Sequence, residues 1–215
     1  GLYEGIPLVQ RGAGYQFVLP DKITLFKGPL MAISSTREQF YEELKRTQTM
    51  LEYQASHDGL TTLLNHSAII EFLEEQLKLK RSQNNKNLCV IMLDVDRFKE
   101  INDSTGHLWG DKVLQTIAYN LQNILRDTDR IGRYGGEEFI VIAEVDSHSE
   151  ASALGERLRE QVENLTVQTP KGKIRPTISL GIAQFKENDT ISSVFKRADE
   201  RLYIAKTTGK NKVGV

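Results

Sequence analysis

The chain has 215 residues, of which 39% are hydrophobic and 27% are charged, a balance typical of a globular protein. Its 28 basic and 29 acidic residues give a formal net charge of −1, which argues against a partner that is a nucleic acid polymer, because such binders carry a basic excess. The single cysteine, Cys89, excludes an internal disulfide and indicates a reducing compartment.

Membrane contact is not expected from this chain. No stretch approaches the roughly 18 apolar residues that a membrane-spanning helix needs, and no signal peptide is visible. The chain begins with glycine and not with methionine, so we interpret it as a piece of a longer protein.

Residues 1–36 differ from the rest of the chain. They hold three of the five prolines, and the short apolar runs "YQFVL" and "ITLF" predict two or three strands. The segment is too short to form a hydrophobic core of its own. We interpret it as the tail of an upstream β-rich, sensory domain or as an ordered linker.

Residues 37–56 are predicted to form a linker helix, with Ser35 or Thr36 as its N-cap. Positions along it follow a short, imperfect heptad seam, namely Phe40, Leu44, Thr47, Leu51 and Gln54. Such a seam either pairs two copies of the chain or packs on the chain's own domain, and the pattern alone does not choose between them.

From residue 57 onward helical and strand patterns alternate. Amphipathic helices are predicted at 67–82, 111–127, 149–165 and 190–209, and strands at 87–96 and 174–185. Residues 129–134 and 138–145 flank two glycines as a hairpin. Strands interleaved with helices, together with one hairpin, predict an α/β sandwich with helices packed on a central sheet.

The stretch "RYGGEEFIVI" holds the first group of candidate site residues. Gly135 and Gly136 are predicted to make a two-residue turn and to let a ligand approach the backbone closely. Glu137 and Glu138 then begin the next strand and point to opposite faces. This places a carboxylate beside a turn that admits a ligand.

The strand "NLCVIMLDVD" supplies the partner carboxylates. Asp94 and Asp96 follow its apolar run two residues apart, so they share a face. Acids there, beside a hairpin that bears another acid, predict a site for a hard cation such as Mg²⁺. The segment "DRFKEIND" offers backbone N–H groups to phosphate, whereas Lys206 and Lys210 suit either phosphate or the end of a helix dipole.

Five ordered motifs over about 160 residues together resemble the GGDEF family of diguanylate cyclases. They are "HDGLTTLLN", "LDVDRFKEINDSTGHLWGD", "RDTDRIGRYGGEEFIVI", "TISLGIA" and "ADERLYIAKTTGKN". The resemblance implies a GGDEF domain over 57–215 with a nucleotidyl-cyclase or palm-like fold, whose central sheet is mainly antiparallel. It also implies a bacterial, cytoplasmic homodimer that condenses two GTP to cyclic di-GMP and two pyrophosphates.

The resemblance implies a role for each matching residue. Asp94, Glu137 and the backbone carbonyl of Val95 would bind Mg²⁺ or Mn²⁺, and Glu137 would also help deprotonate the attacking 3′-hydroxyl. Glu138 would support the second metal or the shape of the site. Asn102 and Asp111 would hydrogen-bond to the guanine edge of the substrate. Its phosphates would be bound by four further residues, namely Phe98, Lys99, Lys206 and Lys210.

A second site is implied by "RDTD", which stands at the family's spacing for product inhibition. Arg126 would bind the guanine and phosphate of cyclic di-GMP, and Asp129 a guanine edge. The chain departs from the family pattern at three positions, with Thr62 for glycine, His66 for arginine and Lys210 where arginine is common. Lysine keeps the charge but loses the bidentate fork. Trp109 either stacks on a base or covers the core.

Two alternatives to an active diguanylate cyclase stand beside this interpretation. One is a catalytically silent module that senses GTP or cyclic di-GMP, although the signature glycines and acids are all present. The other is a synthase of cyclic GMP-AMP. Asp111 argues against that synthase, because relaxed base choice should weaken the guanine-reading acceptor.

Overall fold

The computed structural model describes the chain except for residues 1, 4–5, 12–13, 20–21, 25–29 and 84–86, with side chains from residue 37 onward apart from 38 and 80–87. The chain divides into two compact units, Gly1–Tyr53 and Gln54–Val215. No described helix is both long and apolar enough to span a membrane.

The first unit contains a small antiparallel sheet and most of one long helix. Its strands run in the order β1 (Leu2–Tyr3), β2 (Ile6–Arg11), β3 (Gly14–Leu19) and β4 (Lys22–Thr24), so the sheet has four strands where two or three were predicted. Helix α1 extends over Leu30–Ser56. Ser35 and Thr36 therefore lie inside the helix, and the prediction that either caps it was wrong.

The second unit is built on a five-stranded sheet in the order β11-β10-β5-β7-β6. Every neighbouring pair is antiparallel except β10 and β11. The strands are β5 (Asn87–Val95), β6 (Arg130–Gly135), β7 (Glu138–Val145), β10 (Ile178–Gln184) and β11 (Val213–Gly214). A separate hairpin joins β8 (Val167–Thr169) to β9 (Gly172–Ile174). The prediction of one continuous strand over 174–185 was therefore wrong.

Helices cover both faces of this sheet. They are α2 (His66–Gln83), α3 (Phe98–Thr105), α4 (His107–Ile124), α5 (His148–Glu163) and α6 (Ile191–Thr207). On β5, Cys89, Ile91 and Leu93 pack into the core shared with α4 and α5, whereas Val90 and Met92 pack into the core shared with α2 and α6. Burial on both faces explains why the sequence of β5 is a continuous run of apolar residues. The predicted α/β sandwich is confirmed.

Cys89 lies within this core and is fully buried. Burial in apolar surroundings raises the pKa of its thiol to about 12, because the interior disfavours the thiolate. Cys89 is therefore a small core side chain and not a nucleophile.

Candidate active site

The signature hairpin differs by one residue from the turn predicted from its glycines. Tyr134 forms an irregularity in β6, so Gly135 is the last residue of that strand and pairs with Glu138 at the start of β7. The two turn residues are Gly136, whose φ is +48°, and Glu137. The predictions that Gly135 belongs to the turn and that Glu137 begins the strand were therefore wrong.

Asp94 lies at the centre of the candidate site. It pairs with Glu138 on β7 and with Ser179 on β10, and only 5% of its surface is exposed. Directly opposite residues of an antiparallel pair share a face, so two carboxylates meet at this end of the sheet. Nζ of Lys206, from the last turn of α6, lies 2.7 Å from Oδ2 of Asp94.

The electrostatics of this group favour a cation. Burial raises the pKa of Asp94, and the repulsion from Glu137 adds to it while Lys206 opposes it. Burial likewise raises the pKa of Glu138, with further repulsion from Asp94. A bound cation would offset both the burial and the repulsion that raise these two pKa values. Within the part of the chain that the structure describes, no group of three acidic, histidine or cysteine side chains is arranged to hold a metal ion.

Asp96 has a structural role that its sequence position did not reveal. Its carboxylate accepts hydrogen bonds from Oγ1 of Thr177 and Oγ of Ser179, each at 2.7 Å, and from the backbone N–H of Asn211 at 2.9 Å. Of the two carboxylates that the sequence predicted for the cation site, only that of Asp94 is therefore left to face a cation. Asp96 instead fastens the C-terminal loop to the sheet.

That loop carries Lys210, the second predicted phosphate-binding lysine. Lys210 and Asn211 both adopt left-handed backbone conformations, with φ values of 62° and 48°. Asn211 is held from a second side, because Nη1 of Arg159 donates to its Oδ1 at 3.0 Å and its Nδ2 donates to Glu163 at 2.7 Å. These contacts fix the loop directly after α6, where Lys206 lies.

Helix α3 follows Asp96 immediately and presents its N-terminus next to the site. Arg97, at φ 55°, is the N-cap residue before Phe98, and its side chain makes no capping hydrogen bond. The N–H groups of Phe98 and Lys99 therefore belong to the set that an α-helix leaves unpaired at its start. Such groups bind phosphate well.

Asn102 lies on α3 against the first turn of α4. Its Oδ1 is buried and has no hydrogen-bond partner within the part of the chain that the structure describes. Gly110 lies next to this oxygen, since a Cβ added there would be 1.9 Å from it. Asp111, the next residue, is exposed, and Trp109 is half-buried. A buried amide oxygen without a partner marks a place that a polar ligand would complete.

The second predicted site lies in a cleft of about 480 Å³. Oδ2 of Asp129 accepts a hydrogen bond from the backbone N–H of Arg126 at 3.1 Å, whereas its Oδ1 is buried and has no partner among the described residues. The guanidinium of Arg126 pairs with Glu150 at 3.0 Å. Residues from the loop after α1, among them His57 and Thr62, line the other side of this cleft.

Comparison with known proteins adds to this geometry. A family profile described as "Diguanylate cyclase, GGDEF domain" matches residues 55–212. The chain belongs to the GGDEF family. The family resemblance seen in the sequence is therefore confirmed.

Curated GGDEF relatives match most of the chain. Diguanylate cyclase DgcP of Pseudomonas aeruginosa is 38% identical over 191 residues, which are 87% of this chain and 28% of that protein. Diguanylate cyclase DgcM of Escherichia coli is 36% identical over 171 residues, or 80% of this chain and 41% of that protein. The chain thus spans less than half the length of either relative.

A solved GGDEF structure shares the fold. The coiled coil and GGDEF domain of DgcB from Caulobacter crescentus, in complex with c-di-GMP, superposes with a TM-score of 0.79 at 28% identity, covering 86% of this chain and 98% of that one. The mainly antiparallel, palm-like sheet predicted from the resemblance is confirmed.

A second profile, described as a zincin-like metallopeptidase, matches residues 1–62. Metallopeptidases of that kind bind zinc through two histidines spaced as H-E-x-x-H on a helix. This segment contains one histidine, His57, and no cysteine. It therefore lacks the ligands that would support a zinc site of that type.

Two of the three departures from the GGDEF pattern have visible structural consequences. Thr62 adopts φ 60°, a conformation that β-branched residues rarely take. His66 stacks on Tyr134 with ring centroids 4.6 Å apart, next to Gly135 of the signature. Neither consequence follows from the sequence pattern alone.

Sequence reasoning missed one residue that contacts the signature turn. Arg133 donates from Nε and Nη2 to the carbonyl of Gly136, at 2.9 and 2.7 Å. It also forms an ion pair with Asp58 at 3.1 Å. The only signal for Arg133 was its position two residues before Gly135.

Proposed function

We propose that this chain is a diguanylate cyclase that condenses two GTP to cyclic di-GMP and two pyrophosphates. The observation that carries the proposal is the position of Asp94, which lies between the ammonium of Lys206 and the carboxylate of Glu138 at the end of a buried strand. Glu137 lies in the adjoining turn. Carboxylates and a lysine gathered there suit a nucleotide triphosphate with a divalent cation.

The donor set fits a hard cation, either Mg²⁺ or Mn²⁺. Asp94, Glu137 and the carbonyl of Val95 would hold it, since a bound cation would offset both the burial of Asp94 and its repulsion from Glu137. When bound, such a cation stabilises the charge that develops on the phosphate oxygens. Glu138, paired directly opposite Asp94, would shape this end of the site or support a second ion.

Substrate binding would use groups on three elements. Lys206 and Lys210 would bind the β- and γ-phosphates, and the N–H groups of Phe98 and Lys99 would bind phosphate oxygens. Gly135 and Gly136 have open space where side chains would stand, which leaves room for the nucleotide. Asn102 and Asp111 would accept hydrogen bonds from the guanine edge, which offers paired donors that adenine lacks.

In the reaction, the 3′-oxygen of each GTP attacks the α-phosphate of the other. A bond forms between that oxygen and phosphorus, the bond to the bridging oxygen of pyrophosphate breaks, and pyrophosphate leaves. Glu137 would accept the proton of the 3′-hydroxyl. Lys206 and Lys210 would offset the charge on the departing pyrophosphate.

The reaction needs two copies of the domain, because one GTP cannot close the ring. We propose that residues 37–56 set the pairing, upstream of a catalytic domain over 57–215. Large apolar side chains on α1 support this, since Phe40, Leu44 and Leu51 are 60%, 52% and 60% exposed. Residues 1–36 would be the tail of an upstream β-rich domain or a linker.

Feedback by the product would act through the cleft that contains Arg126 and Asp129. The unpartnered Oδ1 of Asp129 supports this, because it offers a buried acceptor to a guanine edge. The side chain of Arg126 is 60% exposed, and its guanidinium suits guanine and phosphate.

Product analysis tests the proposal. The chain is incubated with GTP and Mg²⁺, and then with GTP and ATP together, and the nucleotides are resolved by chromatography and mass. We expect cyclic di-GMP in both cases and a loss of at least about a hundredfold in Glu137→Gln, which removes the base. Glu187→Gln, in the exposed loop after β10, is the matched control.

The other outcomes separate the alternative functions. GTP binding without product would indicate a silent sensor module. A mixed guanine and adenine product would indicate a cyclic GMP-AMP synthase. Either result contradicts the proposal.

A further inference from the structure

The loop over residues 208–212, directly after α6, carries three consecutive residues with positive φ. Gly209, Lys210 and Asn211 have φ values of 131°, 62° and 48°. Glycine adopts such values freely and asparagine tolerates them, whereas lysine takes them rarely. A backbone of this kind persists only where the surrounding contacts determine it. Lys210 is therefore held in a conformation that its own residue type does not favour.

The two ends of this loop are fixed by backbone hydrogen bonds. The N–H of Lys210 donates to the carbonyl of Ala205 at 3.0 Å, which ties the first end to α6. The carbonyl of Lys212 accepts from the N–H of Leu180 at 2.9 Å, which ties the other end to the sheet. Between these ends, the side chain of Asn211 extends to α5.

Three side chains close a ring of hydrogen bonds at this point, which we call the Asn211 clamp. Nη1 of Arg159 donates to Oδ1 of Asn211 at 3.0 Å, and Nδ2 of Asn211 donates to Oε1 of Glu163 at 2.7 Å. Nη1 of Arg159 also donates to Oε2 of Glu163 at 2.7 Å. The oxygen and the nitrogen of one amide are thus both bound, by side chains one helical turn apart. The side chain of Arg159 is only 14% exposed, so water competes little for these bonds.

The Asn211 clamp connects opposite faces of the sheet. Helix α5, which carries Arg159 and Glu163, packs into the core shared with α4, whereas α6 packs into the core on the other face. The loop that carries Lys210 leaves α6 and is then held by α5. Two elements on different faces therefore determine the backbone at Lys210.

We propose that Arg159 and Glu163 are positioning residues for Lys210, and that through Asn211 they hold the loop in the conformation in which Lys210 meets a phosphate group. The inference rests on one part of the proposed function, in which Lys210 binds the β- and γ-phosphates of GTP. A loop that is ordered before the ligand arrives loses less conformational entropy on binding, so the clamp would raise the affinity for phosphate.

Binding of magnesium pyrophosphate tests the inference without turnover, by calorimetric titration of the full chain. Asn211→Gly permits a positive φ but removes the amide, and Arg159→Met removes the guanidinium while keeping an unbranched side chain. We expect each variant to weaken pyrophosphate binding about tenfold, as the loss of one charge-assisted hydrogen bond would. Binding of guanosine should be unchanged in both. If Asn211→Gly binds pyrophosphate as tightly as the wild type, only the tolerance for positive φ matters and the inference is overturned.

The variant Lys210→Met shows whether the clamp acts through Lys210. In that background, adding Asn211→Gly should weaken pyrophosphate binding no further, because residues that act as one unit are not additive. A further loss as large as the one that Asn211→Gly causes in the wild type would mean that the clamp does not act through Lys210, which contradicts the inference.

Two control variants separate positioning from a general loss of stability. Asn164→Gly removes an amide whose Nδ2 likewise donates to α5, at the carbonyl of Glu160. Arg197→Met removes a guanidinium that binds Asp189 and the carbonyl of Gln184. Both should lower the melting temperature and retain the affinity for pyrophosphate. If they weaken pyrophosphate binding as much as the clamp variants do, lost stability is the cause and the inference is wrong.

Product analysis of the same proteins keeps the inference apart from the proposed function. If the wild type makes no cyclic di-GMP but binds pyrophosphate through the clamp as described, the proposed function fails and the inference stands. If the wild type makes cyclic di-GMP and neither clamp variant changes pyrophosphate affinity, the proposed function stands and the inference fails. A wild-type chain that binds no magnesium pyrophosphate also overturns the inference, whatever its products.

Discussion

A methyl group on Gly110 would lie 1.9 Å from Oδ1 of Asn102, closer than any non-bonded contact allows. Gly110 lies in the first turn of α4, where glycine costs about 1 kcal/mol of helix stability relative to alanine. A residue that the helix disfavours is thus present where it leaves room for a buried, unpartnered amide oxygen. This relationship gives a direct test of the guanine-binding role proposed for Asn102.

Gly110→Ala should displace the side chain of Asn102 and weaken GTP binding by about tenfold, the equivalent of one lost hydrogen bond. Calorimetric titration with a non-hydrolysable GTP analogue measures the change. Gly59→Ala is the matched control, because an added Cβ there meets nothing within 4 Å. Equal affinities in the two variants would contradict a guanine-binding role for Asn102.

Thr62→Gly should stabilise the protein by about 1 kcal/mol, because a β-branched residue at φ 60° is strained and glycine is not. The gain is reduced by the lost hydrogen bond from Oγ1 of Thr62 to the carbonyl of Thr61. Urea unfolding at neutral pH measures it. Thr208→Gly, at φ −94° and with a comparable hydroxyl contact, should instead destabilise. If both variants move in the same direction, the strain argument is wrong.

Asp129→Asn should weaken inhibition by cyclic di-GMP at least about tenfold, since an amide offers one acceptor and an unmatched donor to the guanine edge. Initial rates over a range of added cyclic di-GMP give the inhibition constant. Asp127→Asn removes a carboxylate from the same loop and serves as the control. If cyclic di-GMP inhibits Asp129→Asn as strongly as it inhibits the wild type, this cleft is not the feedback site.

Asp189→Asn should lower the free energy of unfolding by about 2 kcal/mol at pH 7. The hydrogen bonds from Arg197, together with those from Lys186 N–H and Ser193, hold the pKa of Asp189 well below its usual range, although burial opposes them. An acid whose pKa is lowered in the folded state stabilises the folded protein fully at pH values above its unfolded pKa, which is 3.8 here. This stabilisation is lost as the pH falls from there through the folded pKa. The difference between variant and wild type should therefore shrink in acid.

Unfolding of the two proteins at pH 7 and near pH 3 provides the measurement. Glu187→Gln in the same exposed loop is the matched control. A destabilisation in Asp189→Asn that is equally large at both pH values would exclude the ionised pair as its cause.

The fold was predictable from the sequence because its signals are local. The apolar runs of β5 and β7 showed strands buried on both faces, and the helical periods between them showed the covering layers. The turn was placed one residue early, because nothing in "RYGGEEF" shows that Tyr134 breaks the pairing and adds Gly135 to the strand. The start of α1 was missed by several residues, since Ser35 and Thr36 look like caps until the helix is seen to pass through them.

The contacts that hold the site were not predictable, because they join distant parts of the chain. Asp96 takes its partners from Thr177 and Asn211, which are 81 and 115 residues away. Arg133 reaches Asp58 over 75 residues. No periodicity or motif spacing records such pairs. From the residues alone, Asp96 looked like a second metal ligand and Arg133 like an ordinary charge on a strand.

The pairing of Gly135 with Glu138, and of Glu138 with Asp94, limits how this segment can evolve. Successive side chains of a strand point to opposite faces of the sheet. One residue added to or removed from the turn would therefore turn each side chain of β7 to the opposite face. Phe139, which is 1% exposed, would then face away from the core it fills. The signature can therefore tolerate the exchange of one carboxylate for another, but not a change in the number of its residues.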